Sequence, residues 1–165
     1  MRRGGFTLLE LLIALIAISV IAAVAIPAYF SRSDVTLENA AVLLARDLRA
    51  AQNRSAYLGE ETRVQFLPDG DGYLVMNQLG KPIDNPRNEL PFERRYSVDA
   101  VFRGVVIQAF HHAGDAIVFD EHGEPDGPAT ITLTFGDDER TIRMSPPYGS
   151  IEILGSTSGW VDLGY

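Results

Sequence analysis

The sequence GFTLLELLIALIAISVIAAVAIPAYF, residues 5–30, decides the fold of this chain. Over residues 6–30, 21 of the 25 side chains are hydrophobic. A helix needs about 20 predominantly apolar residues to cross a bilayer, so this stretch is long enough to span one. Arg2 and Arg3 precede it, and positive charge favours the cytoplasmic side of a membrane. We therefore predict a transmembrane helix half over residues 6–30, with the rest of the chain exported.

The composition as a whole is that of one ordinary folded domain. The chain has 165 residues, of which 46% are hydrophobic and 22% charged, and 22 acidic against 14 basic side chains give a formal net charge of −8. The absence of cysteine excludes a disulfide framework and a thiolate zinc site. The acidic excess argues against bulk electrostatic attraction to nucleic acid or anionic lipid.

Three details separate the apolar stretch from a conventional secretory signal. Glu10 lies inside it, where an ionised carboxylate costs about 2.5 to 3.5 kcal/mol and calls for a partner. The pair Gly4 and Gly5 gives the backbone before the helix an accessible form that a protease can bind. Pro27 lies in a pattern that is helical on both sides, which predicts a kink. The alternative is a removable signal peptide with a cleavage site at residues 23–25, which would leave an exported soluble β-domain.

The segment from Gly5 to Glu10, followed by the apolar run, resembles the class III signal of type IV pilins and type II secretion pseudopilins. The resemblance implies that a prepilin peptidase cuts between Gly5 and Phe6, removes the leader 1–5, and leaves a Phe6 amine that is N-methylated. It also implies that Glu10 acts in filament assembly and that Pro27 bends the helix. Physically, the carboxylate would compensate a free amine at the positive end of the helix dipole, within one chain or between neighbours.

A second pattern predicts an amphipathic helix half over residues 31–59. We expect Ser33 or Asp34 to cap a restart after the bend, and Gly59 to end the helix. Apolar residues recur at spacings of three and four, which is typical of a helix that buries one face, with one gap at Ser55. The members of this apolar stripe are Leu37, Ala41, Leu44, Leu48, Ala51 and Leu58.

Residues 60–165 are predicted to form a β-rich periplasmic domain. Alternating residues at 62–66 and an apolar run at 73–76, joined by a turn rich in Asp and Gly, predict a hairpin. A proline-containing loop over residues 79–97 follows. Further strands are predicted at residues 101–110, 116–119, 130–135, 141–144 and 150–154, with a turn at residues 136–139. The expected fold is α+β, a long N-terminal helix packed on an antiparallel β-sheet domain, as in the pilin fold.

The order of helix, hairpin, proline-containing loop and the stretches 117–125 and 148–151 resembles the GspH/FimT branch of the pseudopilins. This implies a minor pseudopilin of the type II secretion system, a filament subunit that supports protein export. The implied partners are other pilins or pseudopilins, the prepilin peptidase and the inner-membrane assembly platform. The implied location is the bacterial inner membrane, single-pass, with a cytoplasmic N-terminus and the C-terminal domain in a periplasmic or surface filament. The alternative within the branch is a FimT-like minor pilin of a type IV pilus, some of which bind DNA.

The sequence offers few candidate chemical sites. Asp69 and Asp71 resemble the start of a calcium loop, but no glutamate follows at the required offset, so we interpret this segment as a turn. His111 and His112 are adjacent, which on a strand directs their rings to opposite faces, and no spacing joins them to His122. No G-x-S-x-G, P-loop or G-x-G-x-x-G motif occurs. We expect no enzyme activity, cofactor or metal.

Arginines provide the remaining candidates for an interaction surface. Beyond residue 30, 12 basic side chains face 21 acidic ones, a balance of −9, so DNA binding would need a local patch. The one cluster is Arg94 and Arg95 with Arg87 and Arg103, and we expect no nucleic-acid partner. Three more arginines on the polar side of the helix indicate a solvated face or, alternatively, an inter-subunit charge patch: Arg46, Arg49 and Arg54.

Overall fold

A computed structural model of the chain shows one α-helix and eight β-strands across the residues that it describes, 7–85 and 90–155. For residues 24–34 it describes the backbone alone. The chain divides into two compact units, Met1–Val35 and Thr36–Tyr165. Helix α1 contains residues of both units, and all eight strands belong to the second.

Helix α1 spans Leu8–Leu58 without interruption. The predicted restart at Ser33 or Asp34 is wrong, because the helical backbone passes through Pro27 and both of these residues. A proline removes one amide donor, and the rest of the helical hydrogen-bond ladder is long enough to continue around it. Gly59 ends the helix as predicted: its φ is 64°, and its amide donates to the Ser55 carbonyl oxygen at 2.9 Å.

The apolar stripe of α1 is buried within the second unit. Leu37, Leu44 and Leu48 are completely buried, as are the neighbouring alanines of the stripe. The gap at Ser55 is filled by a buried hydroxyl, which lies within hydrogen-bonding distance of the carbonyl oxygens of Glu60, Phe119 and Asp120. Leu58, expected in the stripe, is 44% exposed because it is the last residue of the helix. The stripe therefore packs against the β-domain up to the final turn.

The first sheet is antiparallel and has the strand order β3-β2-β1-β5. Its hairpin is the predicted one, with Phe66 opposite Tyr73. A short strand, β3, lies inside the predicted loop 79–97, and it pairs with the start of β2 because Gly72 has no side chain to prevent the approach of the Arg94 backbone. The strands are β1 (Thr62–Phe66), β2 (Gly72–Asn77), β3 (Glu93–Arg95) and β5 (Ala116–Phe119).

The second sheet is also antiparallel, with the order β4-β6-β7-β8. The predicted strand 101–110 begins too early, because the Asp99 carboxylate accepts the Val101 amide at 2.8 Å and holds residues 101–104 in a turn. The turn predicted at 136–139 is shorter than expected, since β7 begins at Asp138. The strands are β4 (Val106–His111), β6 (Ala129–Phe135), β7 (Asp138–Ser145) and β8 (Ser150–Leu154).

One hydrophobic core joins the α1 stripe to the inward faces of both sheets. The inward residues alternate with outward ones, as in Val64 on β1 and Ile131 on β6. Arg140 on β7 also faces inward, and its Nε donates to the Glu38 carboxylate of α1 at 3.0 Å. The predicted α+β class is confirmed, with two antiparallel sheets where one was expected.

Candidate functional site

The start of α1 is capped by Thr7. The Glu10 amide donates to Thr7 Oγ1 at 3.2 Å and to the Thr7 carbonyl oxygen at 3.1 Å. Thr7 is therefore the N-cap residue, and Glu10 occupies the third helical position of the T-x-x-E spacing. The sequence analysis missed the cap, although the spacing of the two residues was sufficient to find it. The Glu10 amide takes part in the cap, whereas no hydrogen bond joins its carboxylate to the Thr7 amide, both of which lie in the described part of the chain.

The predicted processing residues, Gly5 and Phe6, lie outside the described residues. Pro27 lies within the continuous backbone of α1, and its side chain is outside the described set. Cleavage, N-methylation and the helix bend accordingly stay predictions.

The first part of α1 carries an exposed apolar surface. Leu8 is 85% exposed, and the leucine, isoleucine and valine side chains up to Ile21 are at least half exposed. Ser19 does not interrupt this surface, because its hydroxyl donates to the Leu15 carbonyl oxygen at 2.8 Å. An apolar surface of this extent requires a covering partner. Among the helical residues that the structure describes, no stretch combines the length and the hydropathy of a membrane span.

Asp47 is the centre of a polar network between α1 and the first sheet. Its Oδ2 accepts the Tyr73 hydroxyl at 2.7 Å and the Arg94 guanidinium at 3.0 Å. Burial raises the pKa of Tyr73 well above its usual value, and the charges of Tyr96 and Asp47 add to that effect. Sequence reasoning missed Asp47, yet its position three residues after Leu44 places a carboxylate at the edge of the apolar stripe.

A cavity of about 230 Å³ opens beside this network. We call it the arginine cleft: its charged lining consists of Arg46, Asp47, Arg54, Asp84 and Arg94, and its apolar lining includes Ala50, Ile83 and Phe92. Two of the three arginines predicted on the polar side of α1 therefore border a cavity. The third, Arg49, donates instead to Gln52 Oε1 at 3.1 Å.

The arginine cluster considered for DNA is largely neutralised within the chain. Arg94 pairs with Asp47, and Arg103 is exposed in the turn before β4, while Arg87 lies outside the described residues. Arg95 lies within ion-pair distance of three carboxylates, those of Glu93 at 2.5 Å, Asp69 at 3.6 Å and Asp71 at 3.7 Å. The two central arginines therefore offer little unpaired charge to a phosphate backbone.

The aspartates considered for calcium stabilise a turn, as interpreted from the sequence. Asp69 Oδ1 accepts the Asp71 amide at 3.0 Å, and the Asp71 carboxylate accepts both the amide and the hydroxyl of Ser97 at 2.7 Å. Their oxygens therefore accept hydrogen bonds within the turn between β1 and β2 and from the residue that follows the end of β3.

The three histidines do not share a site. His112 has a buried side chain whose Nε2 lies 3.0 Å from Asp126, while His111 is exposed on β4. His122 is exposed beside Asp120, and hydrogen bonds from the backbone amide of Glu124 lower the pKa of that carboxyl group. Over residues 7–85 and 90–155, no group of three or more histidine, aspartate and glutamate side chains is arranged to hold a metal ion.

Two family models match the chain. The model of the prokaryotic N-terminal methylation motif matches residues 1–26, and the model of the type II transport protein GspH matches residues 40–147. The second match covers more than half of the chain, from within α1 to the loop after β7. No curated protein and no solved structure matches the chain.

Proposed function

Because this chain belongs to the GspH family of type II transport proteins, we propose that it is a minor pseudopilin of the type II secretion system, a filament subunit that supports protein export. The observation that carries the proposal is the coincidence of two matches on one chain, the methylation motif at residues 1–26 and the GspH domain at residues 40–147. The continuous helix α1, which begins in the first match and ends in the second, supports it.

The first match supports the maturation that we propose. A prepilin peptidase removes residues 1–5, and the new Phe6 amine is N-methylated. The exposed apolar side chains after Leu8 then anchor the mature chain in the bacterial inner membrane as a single pass, with the N-terminus cytoplasmic and the β-domain periplasmic. Their exposure supports this placement, because lipid and neighbouring helices are the partners that cover such a surface at least cost.

The role within the filament is structural. The Glu10 carboxylate pairs with the Phe6 amine of its own chain or of a neighbour, which neutralises both charges in a medium of low polarity. The other partners are pilins or pseudopilins and the inner-membrane assembly platform. We propose no catalytic step for this chain.

The DNA-binding minor pilin of a type IV pilus receives less support from the geometry. Arg94 and Arg95 are paired with carboxylates of the same chain, and the formal net charge of the whole chain is −8. A duplex approaching this surface would meet an acidic protein with few unpaired cations.

The test uses the full chain, expressed in a host that carries the secretion system and its prepilin peptidase. N-terminal sequencing and intact mass are expected to give a chain that begins at Phe6 and is one methyl group heavier than the unmodified fragment. Gly5→Glu is expected to remain unprocessed, and Gly4→Ala, its control, to mature normally. A start at residue 24 or later would contradict the maturation.

A deletion strain distinguishes the two filament systems. Loss of the chain is expected to lower the amount of secreted protein and to leave DNA uptake unchanged. The opposite result would assign the chain to a type IV pilus.

A further inference from the structure

The arginine cleft holds positive charge that the described residues do not neutralise. Arg94 is paired with Asp47, whose carboxylate also accepts the Tyr73 hydroxyl, so the charge of Arg94 already has a partner. By contrast, the side chains of Arg46 and Arg54 form no hydrogen bond or ion pair with any residue in the described part of the chain. Two of the three arginines that border the cleft are therefore unpaired among the described residues, on a protein whose formal net charge is −8.

The size and walls of the cleft limit what can enter it. Its volume of about 230 Å³ is at the small end for a ligand pocket and is large enough to hold one side chain. Ala50, Ile83 and Phe92 provide apolar walls around the charged groups. A side chain with a short hydrocarbon stem and an anionic end matches this lining, because the stem contacts the walls and the end meets the arginines.

We propose that the arginine cleft receives one aspartate or glutamate side chain of a neighbouring subunit in the filament. This inference rests on the proposed function, since the neighbour is another pseudopilin. The guanidinium group donates two parallel hydrogen bonds to a carboxylate, which fixes the orientation of the partner as well as binding it. A nucleic acid fits less well, because its phosphates repeat along an extended backbone, whereas the unpaired arginines border one small cleft on an acidic protein.

The experiment places a photo-crosslinking amino acid at the rim of the cleft in the full chain. Asn53 is the position of choice, since it is exposed and lies three residues after Ala50 on the same side of α1. Filaments are formed in cells that carry all other subunits, irradiated and sheared, and cross-linked peptides are identified by mass spectrometry. The expected adduct joins Asn53 to a peptide of another subunit that contains an acidic residue.

Paired charge reversals test the contribution of the cleft. The double variant Arg46→Glu/Arg54→Glu is expected to reduce the adduct about tenfold, because like charges placed across an interface repel. Its control, Arg103→Glu/Arg143→Glu, reverses two exposed charges outside the cleft and is expected to leave the adduct unchanged. Replacing the acidic residue of the cross-linked peptide by lysine is expected to restore the adduct in the first double variant.

Each other outcome overturns the inference. Equal adducts in the two double variants, an adduct with nucleic acid, or a cross-linked peptide without an acidic residue would each reject the carboxylate. The amount of the wild-type chain in sheared filaments separates the two proposals. If the chain is absent from filaments, both the pseudopilin role and the cleft partner are refuted. If the chain is present but the expected adduct does not form, only the cleft partner is refuted.

Discussion

At the level of single residues, the cap at the start of α1 and the charge of Glu10 can be separated by substitution. The Glu10 amide donates to Thr7 Oγ1, and the Glu10 carboxylate carries the charge proposed to pair with the Phe6 amine. Glutamine satisfies a capping box as well as glutamate does but has no charge, whereas leucine provides neither. Thr7→Ala removes the cap and keeps the carboxylate.

We expect Glu10→Gln and Glu10→Leu to lower recovery of the chain in sheared filaments to a similar extent, because both remove the charge. Leucine should also improve partition into the membrane, since it removes an ionised group from an apolar stretch. Thr7→Ala should destabilise only the first turn, by about 1 kcal/mol, and assemble nearly normally. Leader cleavage is checked separately by intact mass. Wild-type recovery of Glu10→Gln would show that assembly does not need the charge of this residue.

Two buried tyrosines in contact with each other are expected to respond oppositely to loss of the hydroxyl. Tyr73 donates to Asp47, whereas the Tyr96 hydroxyl is buried and has no partner among the described residues. Tyr73→Phe should lower the free energy of unfolding by about 1.5 to 3 kcal/mol, as expected for a hydrogen bond to a charged group. Tyr96→Phe should be neutral or stabilising, because it removes an unsatisfied polar atom. Denaturant unfolding measures both, and an equal loss in the two variants would contradict the assignment.

The same tyrosines predict sensitivity to alkali. Burial raises the pKa of Tyr73 and of Tyr96 in the folded chain, so folding favours the neutral phenols. A raised folded-state pKa gives stability that is complete below the unfolded value, near 10, and is lost as pH rises above it. We expect the free energy of unfolding to be constant from pH 7 to about 9.5 and to fall above that range. Tyr96→Phe should flatten this decline, and an unchanged slope would argue against ionisation of a buried phenol.

At the level of elements, the spacing of apolar residues predicted those helices and strands that form by burying one hydrophobic face. The α1 stripe and the hairpin of β1 and β2 follow from apolar spacing alone. Strand β3 could not be found in this way, because Glu93–Arg95 is a polar triplet whose pairing depends on close approach to Gly72. The hydrogen bonds of the Gln52 amide could not be predicted either. This amide donates to the carbonyl oxygens of Gly123 and Tyr148, which are 71 and 96 residues away along the chain.

The dependence of the β2–β3 pairing on Gly72 can be tested by substitution. A side-chain carbon at Gly72 would lie 1.8 Å from the Arg94 carbonyl oxygen, a backbone atom that cannot move without separating the strands. Gly72→Ala is therefore expected to destabilise the fold by about 2 kcal/mol or more. Gly114→Ala is the matched control, because its new carbon would be 3.8 Å from the nearest atom, and it should change stability by less than about 0.5 kcal/mol. Thermal unfolding of both variants measures this difference, and equal unfolding midpoints would contradict the predicted clash.

At the level of the whole molecule, the two units have different requirements for stability. The described part of Met1–Val35 exposes its large apolar side chains, so this unit depends on a surrounding medium or on neighbours. Thr36–Tyr165 has its own core, in which the α1 stripe and both sheets share one cluster of buried residues. Packing of an amphipathic face in this way supplies most of the stability of a helix within a protein.

We therefore expect a fragment comprising residues 31–165 to fold as a soluble monomer without membrane or detergent. Size-exclusion chromatography should show one monomeric species, and denaturant unfolding should be cooperative. Within this fragment Leu44→Ala should lower the free energy of unfolding by about 2 to 5 kcal/mol, because Leu44 is completely buried between α1 and the sheets. Asn53→Ala, on the exposed side of the same helix, should have little effect. A fragment that aggregates, or that loses equal stability in both variants, would show that the β-domain depends on filament neighbours for its core, because the α1 stripe would then not be supplying the burial that holds the sheets together.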